Sequence, residues 1–369
     1  MSELTRRGFL LGSSAAMVAT AGCLGTQAGA TETGGVQASF FVVSDFTANV
    51  TDGELAVETV VPFGQHGHGW EPGPDVQRAV SNADAFVYVG EGFQPWADKL
   101  VRNIRDDGSD VAVIEAWADV ELRSGTEDGH DEHEEEHGTH EEEHGTHEEE
   151  HGSKDTETEH HDKHEGDHET EHHDKHEKDH DGNDSHASHA GAVDPHYWLD
   201  LGRAARSVET IAAGLGDVDP ANADTYRANA AAYTDRLAAL DATYEERLAG
   251  RTRDTVLVAG HNSFQYLAER YGFHVESLVG LAPDASPTPK DVARAQAVID
   301  EHDIEYVLAP VFESDRAATQ LVAETDAKAV LPLTPVPTLT EEWRENGWGY
   351  LEVMEQVNLP SLARALGAE

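Results

Sequence analysis

The chain is short of cysteine and of positive charge. Cys23 is the one cysteine in 369 residues, which excludes a disulfide framework and a thiolate metal site within a single chain. Lys and Arg total 25 against 72 Asp and Glu, for a formal net charge of −47. Such a surface repels nucleic acid and anionic membranes. The apolar stretch Phe9 to Ala21 is too short for a comfortable transmembrane helix. A P-loop is missing, so the chain does not itself hydrolyse a nucleotide through that motif. The zinc-protease pattern His-Glu-x-x-His has look-alikes only inside a low-complexity tract, the first at His133 to His137.

Histidine is what the chain has in excess. Between His130 and His189 lie 17 of its 23 histidines, interleaved with carboxylates. Neutral imidazole suits Zn, Cu, Ni and Fe. His133, His137, His140, His144, His147 and His151 alternate gaps of four and three, which would share one face of a helix. Gly138, Gly145 and Gly152 interrupt that run. Glu-rich polar sequence buries no core, so disorder is expected there. From Glu127 to Asp184 there are 26 acids and four lysines, so the rest of the chain is still near −25. A surface of that kind stays soluble at very high salt, and a halophilic, haloarchaeal source is expected. At ~1 M salt the Debye length is only about 3 Å, so acids there act on cations by contact rather than by steering.

The N-terminus reads as a targeting segment. Thr5-Arg6-Arg7-Gly8-Phe9-Leu10 is a twin-arginine pattern, and Thr20-Ala21-Gly22-Cys23 resembles a lipobox. Residues 1–23 are therefore expected to be a signal, Cys23 a lipid anchor, and 24–37 a polar tether.

Beyond it, apolar runs at Phe40–Val43, Val57–Val61, Ala85–Val89 and Val111–Ile114 alternate with helix-like segments. A second set follows at Thr255–Ala259, His274–Val279, Tyr306–Ala309 and Ala329–Leu333. This predicts α/β structure with two parallel-sheet lobes of four β/α units each. Between them, Asp219-Pro220 reads as a helix start, and Tyr226, Ala230, Tyr233, Leu237, Leu240 and Tyr244 form one stripe. The expected organisation is an N-terminal lobe over 38–218 with an insertion at 127–190, a rigid connecting helix over 219–250, and a C-terminal lobe over 251–369.

Ligands in open α/β sheets gather at the carboxyl ends of strands. His66 and His68 follow the second apolar run, His196 precedes a helix, His261 follows Gly260 after a strand, and Glu313 follows Val311-Phe312. Three or four such side chains converging would make a tetrahedral site of the kind Zn prefers. Trp70, Tyr197, Trp198, Phe264 and Tyr266 could wall it from water. Each residue taken alone has a plainer reading: a surface histidine, or Glu313 capping the next helix. His274 and His302 read as structural.

These segments resemble the metal-binding family of solute-binding proteins that serve ABC importers for zinc and manganese. His66-Gly67-His68-Gly69-Trp70-Glu71-Pro72 resembles the family's Asp-Pro-His-x-Tyr-Glu-Pro, with His68 at the ligand position. Asp194-Pro195-His196-Tyr197-Trp198 matches Asp-Pro-His-x-Trp, and His261 to Tyr266 matches His-x-x-Phe-x-Tyr. Phe312-Glu313-Ser314 resembles a Phe-x-Glu segment of the C-terminal lobe. The resemblance runs from Ser39 to the C-terminus. It implies two lobes bridged by one long helix with a metal in the cleft between them.

The chain departs from the family pattern by having His66-Gly67 for Asp-Pro, and His261 and Thr334 where manganese members carry carboxylates. Imidazole-rich ligation favours Zn over Mn, and zinc members often carry a His/Asp/Glu-rich loop. The expectation is a lipid-anchored, monomeric protein, exported by the twin-arginine route to the outer face of the cytoplasmic membrane. It would deliver Zn²⁺ to a permease driven by a separate ATPase and would not be an enzyme. His68, His196 and His261 would be ligands. The fourth position is open among Glu313, His66, a tract residue and water. The rivals are a manganese-delivering member, a zinc hydrolase, and a surface adhesin or metal buffer.

Overall fold

The computed structural model describes residues 34–64, 70–125, 193–281 and 286–369. The twin-arginine segment, Cys23, most of the tether, His66, His68 and the histidine-rich tract lie outside the described residues.

Two four-stranded parallel sheets carry the architecture. The first has strands β1 (Val36–Ala38), β2 (Val57–Thr59), β3 (Ala85–Tyr88) and β4 (Ala112–Glu115) in the order β2-β1-β3-β4. Its helices are α1 (Phe41–Thr51), α2 (Pro74–Ser81) and α3 (Pro95–Asp106). Pro74 and Pro95 stand at first helical positions, where the missing N–H costs nothing. The α/β class and the paired parallel sheets agree with the sequence. The first strand does not. Phe41–Val43 opens α1, with Phe40 as its N-cap, and forms no strand; β1 instead uses Val36 and Gln37 from the expected tether. A short run of four apolar residues fits a buried helix as well as a buried strand, and Phe40 to Val43 are all buried.

After a 3₁₀ turn at Tyr197–Leu199 come α4 (Leu201–Val218) and α5 (Ala223–Leu248). The α5 stripe from Tyr226 to Tyr244 is buried as its spacing predicts. The helix starts at Ala223 rather than at Asp219-Pro220. Asp219 spends its Oδ2 on Asn222 Nδ2 and the Tyr226 hydroxyl, at 2.7 and 2.8 Å, which shapes the turn before the helix.

The second sheet comprises β5 (Thr255–Val258), β6 (His274–Ser277), β7 (Tyr306–Pro310) and β8 (Ala329–Leu333), ordered β6-β5-β7-β8. It repeats the first sheet's pattern. Helices α6 (Gln265–Tyr271), α7 (Pro289–Glu301) and α8 (Arg316–Glu324) connect its strands. A capping box between Thr288 and Asp291 opens α7, and Gly272, at φ 68°, closes α6 in the left-handed region. Shorter helices α9 (Glu341–Glu345), α10 (Tyr350–Val353) and α11 (Leu359–Ala365) finish the chain, with a π-turn at Met354–Asn358.

The compact units do not follow these linear boundaries. One gathers the described parts of Met1–Asp119, Leu201–Thr243 and Val336–Gln356; the other gathers those of Val120–Asp200, Tyr244–Pro335 and Val357–Glu369. By compactness, then, the described residues 120–125 and 193–200 leave the N-terminal lobe expected over 38–218, and 336–356 leaves the C-terminal lobe expected over 251–369. The first unit's core centres on Phe86, Tyr88, Trp96, Leu100 and Val101. The second centres on Leu257, Ile299, Val307 and Leu321. No helix among the described residues is long and apolar enough to cross a membrane.

Candidate metal centre

His196, His261 and Glu313 all belong to the second unit. Strands β5 and β7 are hydrogen-bonded neighbours, and each delivers one functional side chain three residues beyond its carboxyl end: His261 and Glu313. The Glu313 carboxylate turns towards His261 with both oxygens. His261 Nδ1 lies 2.5 Å from Oε1, and the His261 backbone N–H reaches Oε2 at 3.3 Å. Gly260 makes this approach possible. A Cβ there would lie 2.7 Å from Glu313 Oε2 and collide with the Pro310 ring.

His196 is set by its own short segment. The Asp194 Oδ1 accepts the His196 N–H at 3.0 Å, an Asx-type turn, and faces His196 Nδ1 at 2.8 Å. Both side chains are buried, and the Trp198 indole beside them donates to the Pro335 carbonyl at 2.7 Å. Burial lowers the His196 pKa below its ordinary 6.5, against the opposing pull of Asp194.

The two imidazoles stand together, with ring centroids 5.3 Å apart. Each has a carboxylate on Nδ1, the arrangement that fixes the tautomer of a metal-ligating histidine and points Nε2 at the ion. His261 Nε2 is buried and has no hydrogen-bond partner among the described residues, a costly state for an imidazole nitrogen unless something binds it. Among the described residues no group of three or more His, Cys, Asp or Glu side chains is arranged to hold a metal. Thr334 is tied by its backbone to the Asn358 side chain, at 2.9 and 2.8 Å. His66 and His68 lie in 65–69, outside the described residues. The chain is fixed on either side of them. Gly64 N–H donates to Thr338 Oγ1 at 2.8 Å, and Trp70 packs edge-on against Trp96 with centroids 5.1 Å apart.

Of the expected site residues, His196, His261 and Glu313 come together, while the Asp194 carboxylate against His196 Nδ1 was not foreseen. The Asp-x-His spacing of an Asx turn was the available signal.

Known proteins share this architecture. The chain is 30% identical over 331 residues to a zinc-binding lipoprotein, AdcA, of Streptococcus pneumoniae serotype 4, covering 90% of this chain and 55% of that protein. It thus spans about half the length of the streptococcal relatives it matches. The high-affinity zinc uptake system protein ZnuA of Bacillus subtilis is 27% identical over 332 residues, covering 90% of this chain and 87% of its own. Among solved structures, the Zn(II)-bound ZnuA-like domain of Streptococcus pneumoniae AdcA superposes with a TM-score of 0.64 at 26% identity, covering 90% of this chain and 98% of that one. The profile of the ZnuA family, zinc-uptake complex component A, periplasmic, matches residues 36–365, and the chain belongs to that family.

Proposed function

We propose that this chain captures Zn²⁺ outside the cytoplasm and delivers it to the permease of an ABC importer, powered by a separate ATPase. The observation that carries the reading is the buried Nε2 of His261, unpartnered among the described residues, set beside His196 and backed by Glu313. His196 and His261 are two of the ligands, and His68 supplies the third imidazole. Glu313, with both oxygens turned to His261, orients that ligand. This leaves the fourth position to His66 or water. Imidazole-rich ligation suits Zn²⁺ better than the harder Mn²⁺. The role is capture and release without turnover.

The same proposal extends to the segments outside the described residues. The twin-arginine pattern supports export in that way, and the lipobox at Cys23 supports a lipid anchor on the outer face of the membrane. A relative named as a lipoprotein supports the anchor too. The net charge of −47 supports a halophilic source. The histidine-rich tract is an accessory that binds further ions weakly, and the protein acts as a monomer.

Zinc titration of the mature protein against a competing chelator tests this reading. The expected result is one tight site, lost in His68→Ala and His261→Ala and kept when 127–190 is deleted. Loss of tight binding on deleting the tract, or none in the intact protein, would overturn it.

A further inference from the structure

The two histidine segments of the second unit are joined through a tyrosine hydroxyl bonded to backbone groups. Tyr266 lies five residues after His261, in the first turn of α6, and is fully buried. Its hydroxyl donates to the Asp194 carbonyl at 2.8 Å and accepts the Arg123 N–H at 2.7 Å. The Arg123 carbonyl in turn accepts the Asp194 N–H at 3.0 Å, and Ser124 bridges Val193 in an antiparallel pair. Asp194 is therefore gripped through its N–H and its carbonyl, while its carboxylate holds His196. The Arg123 guanidinium closes over the Tyr266 ring, 5.9 Å from its centroid, and pairs with Glu269 of the same helix.

We infer that Tyr266 is a positioning residue for metal binding: its hydroxyl locks Asp194 in place and so registers His196 against His261. The inference rests on the proposed zinc reading and extends it. The helix that follows His261 carries the hydroxyl. A shift in one histidine segment is thereby passed to the other, and the 5.3 Å ring spacing is held by a bonded path rather than by ring packing alone. Outer partners of ligand histidines change metal affinity about 10–100-fold when removed. Tyr266 acts one bond path further out, which places its removal at the lower end, about tenfold.

The test is Tyr266→Phe in the full chain, which keeps the ring and removes only the hydroxyl. Zinc affinity is read by chelator competition, and ligand geometry by the visible absorption of protein loaded with one equivalent of Co²⁺. The expected result is about tenfold weaker zinc binding together with an altered cobalt spectrum. Asp194→Asn and the Tyr266→Phe/Asp194→Asn double variant complete a cycle. Because both act on His196 by one path, the double variant is expected to bind no more weakly than Asp194→Asn alone. Thermal unfolding of each apo variant separates folding loss from loss of positioning.

Wild-type affinity and spectrum in Tyr266→Phe, or full additivity in the double variant, would overturn the assignment. So would a fall in thermal stability with the cobalt spectrum unchanged. If the wild-type chain has no tight site, it is the zinc reading that fails. A tight wild-type site that is indifferent to the hydroxyl sinks only the role of Tyr266.

Discussion

Glu313 offers the sharpest test of how the centre is built. Its carboxylate makes two contacts to His261, at 2.5 Å to Nδ1 and 3.3 Å to the backbone N–H, and its side chain is 14% exposed. Glu313→Ala removes both contacts and leaves Nδ1 unsupported. Hydrogen bonds to charged groups contribute about 1.5–3 kcal/mol, which at about 1.4 kcal/mol per tenfold is roughly 10–100-fold in zinc affinity. That range matches the usual effect of losing an orienting partner. Glu313→Gln separates the two contacts. Its carbonyl oxygen can still accept from Nδ1, but its NH₂ then faces the His261 N–H, donor against donor, so a loss of about tenfold is expected. Chelator competition gives the affinities, and X-ray absorption at the zinc edge gives the ligand count. An unchanged count in both variants, with affinity falling from wild type to Gln to Ala, is the expected outcome. Affinity within twofold of wild type in Glu313→Ala would refute the reasoning. Loss of one zinc ligand in that variant would make Glu313 a direct ligand instead.

Gly260→Ala sets a methyl group against the Pro310 ring and 2.7 Å from Glu313 Oε2. Thermal unfolding should show a loss of about 1–3 kcal/mol, with weaker zinc binding alongside; a variant as stable and as tight as wild type would contradict the packing. His196 titrates below its ordinary 6.5 because it is buried. The unfolded chain then binds more protons, so this contribution to stability is full above pH 6.5 and is lost as the pH falls below it. Denaturant unfolding of apo His196→Asn from pH 7.5 to 5 should show a flatter fall than wild type, and an equal fall would count against it. Asp45 runs the other way. Burial pushes its carboxyl up from 3.8 to about 6, against the Tyr233 hydrogen bond. Its contribution is present below pH 3.8 and is lost as the pH rises through about 6, a change of about 3 kcal/mol at about 1.4 kcal/mol per unit. Asp45→Asn should make stability rise more steeply with pH between 4 and 6, and a slope unchanged from wild type would show that the carboxyl is not strained by burial.

The sequence carried the parallel sheets because seven of the eight strands among the described residues sit on apolar runs bounded by turns. It misread Phe40–Val43, since four buried apolar residues satisfy either periodicity, and β1 is only three residues long with Gln37 at its centre. His261 and Glu313 could be placed from their positions just past neighbouring strands. Which atom faces which could not, because the turn of the Glu313 carboxylate depends on the space beside Gly260. Tyr266 read as an apolar wall; its hydroxyl gains a role only once Arg123 and Asp194, 143 and 72 residues away, are brought beside it.

The same long reach governs how the chain can be cut and made. Each compact unit is assembled from three separated stretches, and the first takes its last stretch from Val336–Gln356. Tyr350 from that stretch packs edge-on against Phe46, with centroids 5.1 Å apart, and its backbone supports Asp45. A fragment ending at Pro335 would leave that core open however intact its sheet. During synthesis, nothing before Gln356 emerges can be a finished first unit, so neither half is a module that evolution or an engineer can exchange as one uninterrupted piece of sequence.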